Sequence, residues 1–342
     1  MKKIIIIGAG AMGSAFSVPC LENNNDVTLI GTHLENELID KIKLNNNIHP
    51  ALKKELPENL KIEKYEKLKL ILGNSPDIIV VGVSSVGIEW FVEQIKKNYR
   101  EDLHFVLLTK GLSIMNNEIT TLSEKIKILL KKNGHENANI SAIKGPCLAA
   151  GLANKMRTGT VIANPDIKEC KFLKEIISTK YYSTEISDDL EGVEISGAIK
   201  NIYSMLIGAS EGLSNYKVPK EIQSKYYLNT AASLIHRSVS EMVEFVSYYG
   251  GKPETVYGLA GLGDLYVSAI GGRNSLMRKY LGQGNLYKDA KEKFMQNITV
   301  EGAELAFEIG PKILKELDPK HYPLMFSMLR TICDNKKLEI NW

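Results

Sequence analysis

The sequence predicts an α/β protein in which a doubly wound, cofactor-binding sheet domain is followed by an all-helical substrate domain. Three observations predict it. Residues 1–15, MKKIIIIGAGAMGSA, set four isoleucines directly before three glycines in GxGxxG spacing. Strand-like and helix-like segments then alternate as far as about residue 187, the pattern of a parallel sheet with crossover helices. Beyond Asp188 the strand signal disappears and long apolar-periodic segments take over. A chain of 342 residues, 44% apolar and 24% charged, is long enough for two domains, which we place at 1–188 and 189–342.

The first element organises the rest. A short, continuous β-branched run is expected for a strand buried on both faces of a parallel sheet. Gly8 allows the tight turn, Gly10 lets backbone approach a pyrophosphate, and Gly13 lets the following helix lie close to the strand. That helix, 11–21, opens with Ala11 and Met12, and its amides and dipole would face phosphate. Dinucleotide binding follows because the glycines sit between a strand and a helix start.

Residues 26–31, DVTLIG, read as the second strand, whose end is where an NAD enzyme keeps an acid for the ribose hydroxyls. Gly31, Thr32 and His33 stand there instead. With no carboxylate NADP is permitted, and with no arginine it is not demanded, so NAD or NADP both remain open. A short helix and a small strand at 60–62 precede a third buried strand at 77–83 and an amphipathic helix at 86–98. The strand at 103–108 runs into Thr109-Lys110-Gly111, which puts Lys110 at the carboxyl end of a parallel strand, where open α/β sheets bind ligands. A helix at 117–132 crosses back; a strand at 140–143 breaks at Gly145-Pro146-Cys147, and strands at 160–162 and 181–184 complete the sheet. Helices are expected at 190–211, 228–249, 254–258, 275–281, 300–317 and 323–333.

Bulk properties exclude several classes. A net charge of +3 spread along the chain does not favour nucleic acid, whereas a small anionic substrate is compatible with it. The four cysteines form no CxxC pair and read as reduced thiols of a cytoplasmic protein. Six histidines without metal-ligand spacing imply no metal and read as surface or helix-packing residues. No 18-residue apolar segment is present, so membrane insertion is not expected.

Two clusters carry chemistry. In EGVEISGAIKNIYSMLIGASEGL, Lys200-Asn201 interrupts a largely apolar helix face. A lysine there usually snorkels. Near Lys110 in a partly dry cleft it would instead suit a proton donor working at neutral pH. The second cluster, GLAGLGDLYVSAIGGRN at 258–274, reads as a site-forming loop between helices, with Asp264 in its middle and Arg273-Asn274 offering a guanidinium fork and an amide to phosphate.

At this point the chain resembles the NAD(P)-dependent glycerol-3-phosphate dehydrogenase family, from its N-terminus to about residue 330. The motifs that carry the likeness occur in order: GAGAMGSA, LTKG at 108–111, the GP turn at 145–147, SDDLEGVEISGAIKN at 187–201, NT at 229–230, GLAGLGDL at 258–265, RN at 273–274 and VEG at 300–302. The resemblance implies a Rossmann-like first domain, a homodimer, and hydride transfer between NAD(P)H and dihydroxyacetone phosphate, giving sn-glycerol 3-phosphate for phospholipid synthesis. It implies Lys200 as general acid or base, with Lys110, Asn201 and Asp264 at the reacting oxygen and Arg273 with Asn274 on the substrate phosphate. It also implies cofactor contacts from Gly8, Gly10, Ala11, Met12, Gly13, Thr32, His33, Lys110, Ala149, Arg273 and Glu301. The chain departs from the family pattern at Cys147, Leu148, Gly151, Ala231 and Gly272, and it looks longer than usual at 214–228. Several of these departures lie around the expected phosphate and polyol pocket, which keeps a paralogue acting on another phosphorylated polyol or ketose as an alternative. A non-catalytic dinucleotide sensor is the third reading, and the retained lysines and aspartate argue against it.

Overall fold

The computed structural model describes residues 1–213, 220–271, 274–296 and 298–340. The chain divides into two compact units. The first comprises Met1–Lys110 and Thr120–Leu190; the second comprises Gly111–Ile119 and Glu191–Trp342.

The first unit is built on an eight-stranded sheet: β1 Lys3–Ile7, β2 Asp26–Ile30, β3 Lys61–Glu63, β4 Ile78–Val81, β5 His104–Leu107, β6 Asn139–Lys144, β7 Thr158–Ala163 and β8 Tyr182–Ser187. Their spatial order is β8-β7-β6-β5-β4-β1-β2-β3. All neighbours are parallel except β6 and β7, which pair antiparallel with Ala142 opposite Ala163. Ile4, Ile5, Ile6 and Ile7 are all buried, as the unbroken apolar run requires. The strand order reverses between β1 and β4, where Ile7 pairs with Val81, so both strands deliver their next residues, Gly8 and Gly82, to the switch point. Helix α1, Ala11–Glu22, leaves from that point, and α2, Asn36–Leu44, follows β2.

The expected helix at 117–132 is corrected. Leu112–Met115 and Glu118–Thr121 form a two-stranded hairpin, and the helix covers only Leu122–Lys131. Asn116 and Asn117 have φ of 51° and 64°, the left-handed pair that a two-residue hairpin turn needs. Thr121 caps the helix by accepting the Glu124 amide. Within the second unit, the hairpin is tied by Ser113 Oγ donating to Glu308 Oε1 at 2.9 Å. The second unit is therefore mostly helical instead of all-helical, and residues 111–119 depart from the expected 1–188 and 189–342 partition.

The Leu190–Leu213 helix is buried on most of its surface, with Ala198, Ile199, Ile202, Tyr203 and Leu206 inaccessible. Such a helix is buried by surrounding it. Around it the chain forms helices Lys220–Tyr248, Asp264–Ile270, Asn274–Gly282, Tyr287–Phe294, Glu301–Glu316 and Pro323–Cys333. Two of these were not expected. Glycine density concealed Asp264–Ile270 inside the supposed loop, and Tyr287–Phe294, YKDAKEKF, is too charged to show a clear apolar stripe. Within this unit, Glu241 accepts the Leu324 and Met325 amides at 2.9 and 3.0 Å and the Tyr203 hydroxyl at 3.2 Å, capping the Pro323–Cys333 helix. Among the described residues no helix is long and apolar enough to cross a membrane.

His49 and His104 correct the expectation of surface or helix-packing histidines, since both are buried in the first unit. His104 faces Ser141 Oγ at 2.8 Å and Glu169 at 3.1 Å. Burial lowers its pKa from 6.5 to about 4 against the opposing pull of Glu169. Between those values the unfolded chain binds more protons, so this contribution is complete above pH 6.5 and is lost as pH falls toward about 4. Glu241 has the opposite sign: burial pushes its pKa from 4.5 up to about 7, so its contribution is complete below pH 4.5 and is lost as pH rises through about 7. Denaturant titrations across this range should show wild type losing stability relative to His104→Gln on acidification and relative to Glu241→Gln on alkalinisation. Truncation in Glu241→Ala should cost on the order of 3 kcal/mol below pH 4.5, because three donors lose their acceptor, and less as pH rises through about 7.

Candidate functional site

The chemistry-bearing residues form two groups, one in each unit. In the first, Gly8 has φ +111°, and a Cβ there would lie 2.6 Å from the Gly82 carbonyl carbon. A Cβ on Gly13 would lie 2.1 Å from the Gly8 carbonyl oxygen. Neither position accepts another residue without moving backbone. Beside Gly10 an added Cβ would meet only Glu35 Oε1, at 3.9 Å. The close approach of α1 to β1 is thus bought by two glycines, and the third leaves the turn open. Gly10 is the N-cap of α1 and supplies no side-chain acceptor; the first in-helix bond is Ser14 N–H to Gly10 O at 3.0 Å. The amides of Ala11, Met12 and Gly13 lie ahead of that bond, at the positive end of the helix dipole. This cradle fits a pyrophosphate.

The turn is braced from both sides of Ala9. Its amide donates to Glu35 Oε2 at 3.1 Å, and its carbonyl accepts from His49 Nε2 and Ser14 Oγ, both at 3.0 Å. His49 Nδ1 accepts the Ala51 and Leu52 amides at 3.2 Å, so the ring proton is on Nε2 and points at Ala9. Burial lowers the pKa of His49, which favours the neutral ring this arrangement needs. Thr32 and His33 follow β2 as expected. Thr32 N–H donates to Glu35 Oε2 at 2.8 Å, whereas the exposed His33 ring stands against Trp90, at a centroid separation of 5.1 Å.

At the carboxyl edge of the same sheet, half-buried Lys110 follows β5 and shares a depression with Met12, Cys147 and Thr160. Lys144, the last residue of β6, lines it too. Its side chain is buried and donates to the Leu107 and Thr109 carbonyls at 3.0 and 2.9 Å, tying β6 to the turn that carries Lys110. A buried ammonium is tolerated only with such partners. Ala149 opens the short helix Ala149–Ala153 that follows the GP turn. A wider depression lined by Lys3, Asp26, Lys61 and Pro76 lies at the amino ends of the strands and carries none of these residues.

In the second unit, Lys200 is 3% exposed on the Leu190–Leu213 helix and donates to Asp264 Oδ1 at 2.9 Å and to Ser268 Oγ. Asp264 is the first residue of the Asp264–Ile270 helix, where the dipole favours an anion, and Ser268 stands one turn on, on the same face. A π-helical turn, Leu259–Gly263, delivers Asp264 to this position. Asn201, next to Lys200, is also buried. Glu301 is half-buried at the start of Glu301–Glu316. Arg273 lies outside the described residues; Asn274 opens the Asn274–Gly282 helix. Residues 214–219 of the longer segment also lie outside them.

Four residues were missed from sequence. Ser268 was findable from its i, i+4 spacing to Asp264, and Lys144 as a lysine closing an apolar strand before the GP turn. Glu35 and His49 carried no local signal, because their partner, Ala9, lies 26 and 40 residues away.

Comparison with known proteins matches both halves of the chain. Residues 3–170 match the family model described as NAD-dependent glycerol-3-phosphate dehydrogenase N-terminus, and residues 189–340 match the one for its C-terminus. The chain is 33% identical over 341 residues to the NADP(+)-dependent glycerol-3-phosphate dehydrogenase of Archaeoglobus fulgidus, covering 98% of this chain and 96% of that protein. It is 30% identical over 335 residues to the glycerol-3-phosphate dehydrogenase [NAD(P)+] of Mesoplasma florum, with coverage of 96% and 93%. A crystal structure of the Coxiella burnetii glycerol-3-phosphate dehydrogenase superposes with a TM-score of 0.80 at 26% identity, over 98% of this chain and 96% of that one. With both halves matched in order across nearly its whole length, the chain belongs to the NAD-dependent glycerol-3-phosphate dehydrogenase family.

Proposed function

We infer that the chain is an NAD(P)-dependent oxidoreductase that reduces dihydroxyacetone phosphate to sn-glycerol 3-phosphate, with Lys200 moving the proton. The observation that carries this assignment is the buried Lys200 ammonium held by Asp264 and Ser268. When bound, the reduced nicotinamide supplies a hydride to the carbonyl carbon. Negative charge then develops on the carbonyl oxygen, and Lys200 Nζ both stabilises it and gives it a proton, leaving a neutral amine that is reprotonated from water. Asp264 favours the charged lysine and fixes its direction, and Ser268 holds a second N–H so that the ammonium does not rotate. In the reverse direction Lys200 accepts the alcohol proton.

Lys110 and Asn201 are assigned to the reacting oxygen, and Arg273 with Asn274 to the phosphate, whose binding energy remote from the reacting carbon positions the carbonyl. The first unit supplies the coenzyme cradle through Gly8, Gly10, Ala11, Met12 and Gly13. The assignment to the cytoplasm draws support from four free thiols, Cys20, Cys147, Cys170 and Cys333. A homodimer draws support from the exposed apolar side chains Tyr257, Tyr266 and Ile270 on the second unit; light scattering should give twice the chain mass.

Turnover is followed as loss of reduced nicotinamide absorbance with dihydroxyacetone phosphate and a panel of larger ketose phosphates. Dihydroxyacetone phosphate should give the highest kcat/KM, and activity confined to a larger ketose would overturn the substrate assignment. Lys200→Ala should lower kcat about 10²- to 10⁴-fold while leaving coenzyme affinity unchanged. Because that change removes the Lys200 counter-ion from buried Asp264, Lys200→Met/Asp264→Asn serves as the folding control. Ser268→Ala should lower kcat about three- to tenfold, the loss of one hydrogen bond. Unchanged turnover in Lys200→Ala would remove the mechanism.

A further inference from the structure

The end of β2 decides which nicotinamide coenzyme a fold of this kind prefers. A carboxylate there accepts the adenosine ribose 2′-hydroxyl, whereas a guanidinium accommodates a 2′-phosphate. Gly31, Thr32 and His33 supply neither. The backbone, however, turns back on itself after β2, with Glu35 N–H donating to Thr32 O at 2.9 Å, and this turn returns the Glu35 side chain to the glycine loop. Glu35 Oε2 bridges the Ala9 and Thr32 amides at 3.1 and 2.8 Å. The carboxylate therefore stands between the end of β2 and the glycine turn, where ribose must lie if pyrophosphate occupies the cradle. Oε1 has no hydrogen-bond partner among the described residues, and it is the atom 3.9 Å from the Cβ position of Gly10.

Glu35 has no ion pair among the described residues. Lys41 and Lys43, in the last turn of α2, are directed at Glu37 and Glu63, at 3.9 and 3.8 Å, and Lys64, after β3, is directed at Asp40, at 2.7 Å. The His33 ring is engaged with Trp90 and with Tyr65, at centroid separations of 5.1 and 6.0 Å. A phosphate of nearly two negative charges brought beside Glu35 would meet an uncompensated carboxylate.

We propose that Glu35 is the coenzyme-specificity residue of this enzyme: its free oxygen accepts the adenosine ribose 2′-hydroxyl and its charge rejects a 2′-phosphate, so the chain prefers NAD(H) to NADP(H). The proposal rests on the dinucleotide reading of the first unit. It gives this chain the opposite preference to that in the name of the Archaeoglobus fulgidus relative.

The test measures equilibrium binding of NADH and NADPH to the full chain by calorimetry, and of AMP against adenosine 2′,5′-bisphosphate, which isolates the ribose. Wild type should bind NADH about tenfold to a hundredfold tighter than NADPH, the range of one charge-assisted hydrogen bond, and AMP tighter than the bisphosphate. Glu35→Gln should narrow both gaps to within about threefold, chiefly by improving the phosphorylated ligand. Glu35→Gln/Thr32→Arg should reverse them. Equal or tighter binding of NADPH by wild type overturns the proposal without needing any variant. Equal weakening of both coenzymes in Glu35→Gln also overturns it, since Glu35 would then only staple the turn. Failure of wild type to bind any of the four ligands would instead remove the dinucleotide reading itself.

Discussion

A Cβ at residue 13 would stand 2.1 Å from the carbonyl oxygen of Gly8, and the first unit depends on that exclusion. Because no side chain separates them, α1 starts against the end of β1 instead of several ångströms beyond it. The helix amides then open at the point where the strand order reverses. The requirement spreads outward. Ala9, trapped between the glycines, has its amide held by Glu35 and its carbonyl held by His49 and Ser14. Three otherwise unrelated segments, α1, the turn after β2 and the stretch that carries His49, are committed by the residue between two glycines.

The second unit solves a different problem, keeping a charge inside an apolar core. Lys200 lies on a helix whose neighbours in sequence are inaccessible, so its ammonium is tolerable only where acceptors reach it. The Leu259–Gly263 turn and the short helix after it deliver Asp264 and Ser268 together, one as counter-ion and one as a neutral acceptor. A similar device appears in the first unit, where Lys144 donates to two backbone carbonyls. The two buried lysines differ in a way that matters chemically. Carbonyl partners tie Lys144 to the sheet, while Lys200 has a carboxylate, Asp264, to support its charge.

The parts of this architecture legible in sequence are those in which the cause is local. The isoleucine run, the GxGxxG spacing and the loss of strand signal after Asp188 place β1, α1, the last strand of the sheet and the start of the Leu190–Leu213 helix to within a few residues. Lys200 and Asp264 were legible through motif order, and their contact at 2.9 Å joins positions 64 apart. What stayed hidden was of two kinds. The Asn116-Asn117 turn was readable in principle, but the apolar periodicity after it overrode the signal of two adjacent asparagines and extended the helix backward. Glu35 could not be read, because whether a carboxylate five residues beyond a strand returns to the glycine turn is decided by the intervening backbone.

The hairpin of residues 111–119 bears on how the protein can be made. It interrupts the first unit in sequence yet clusters with the second, and Ser113 finds its partner Glu308 only 195 residues later. During synthesis from the N-terminus, the hairpin leaves the ribosome long before the helix that receives it, so the second unit cannot complete its core until its C-terminal third has been translated. A gene cut at the apparent boundary near residue 190 would separate the helices from this early piece. The two units are therefore unsuited to exchange as independent cassettes, and the order of the chain, more than its division into halves, sets the order of assembly.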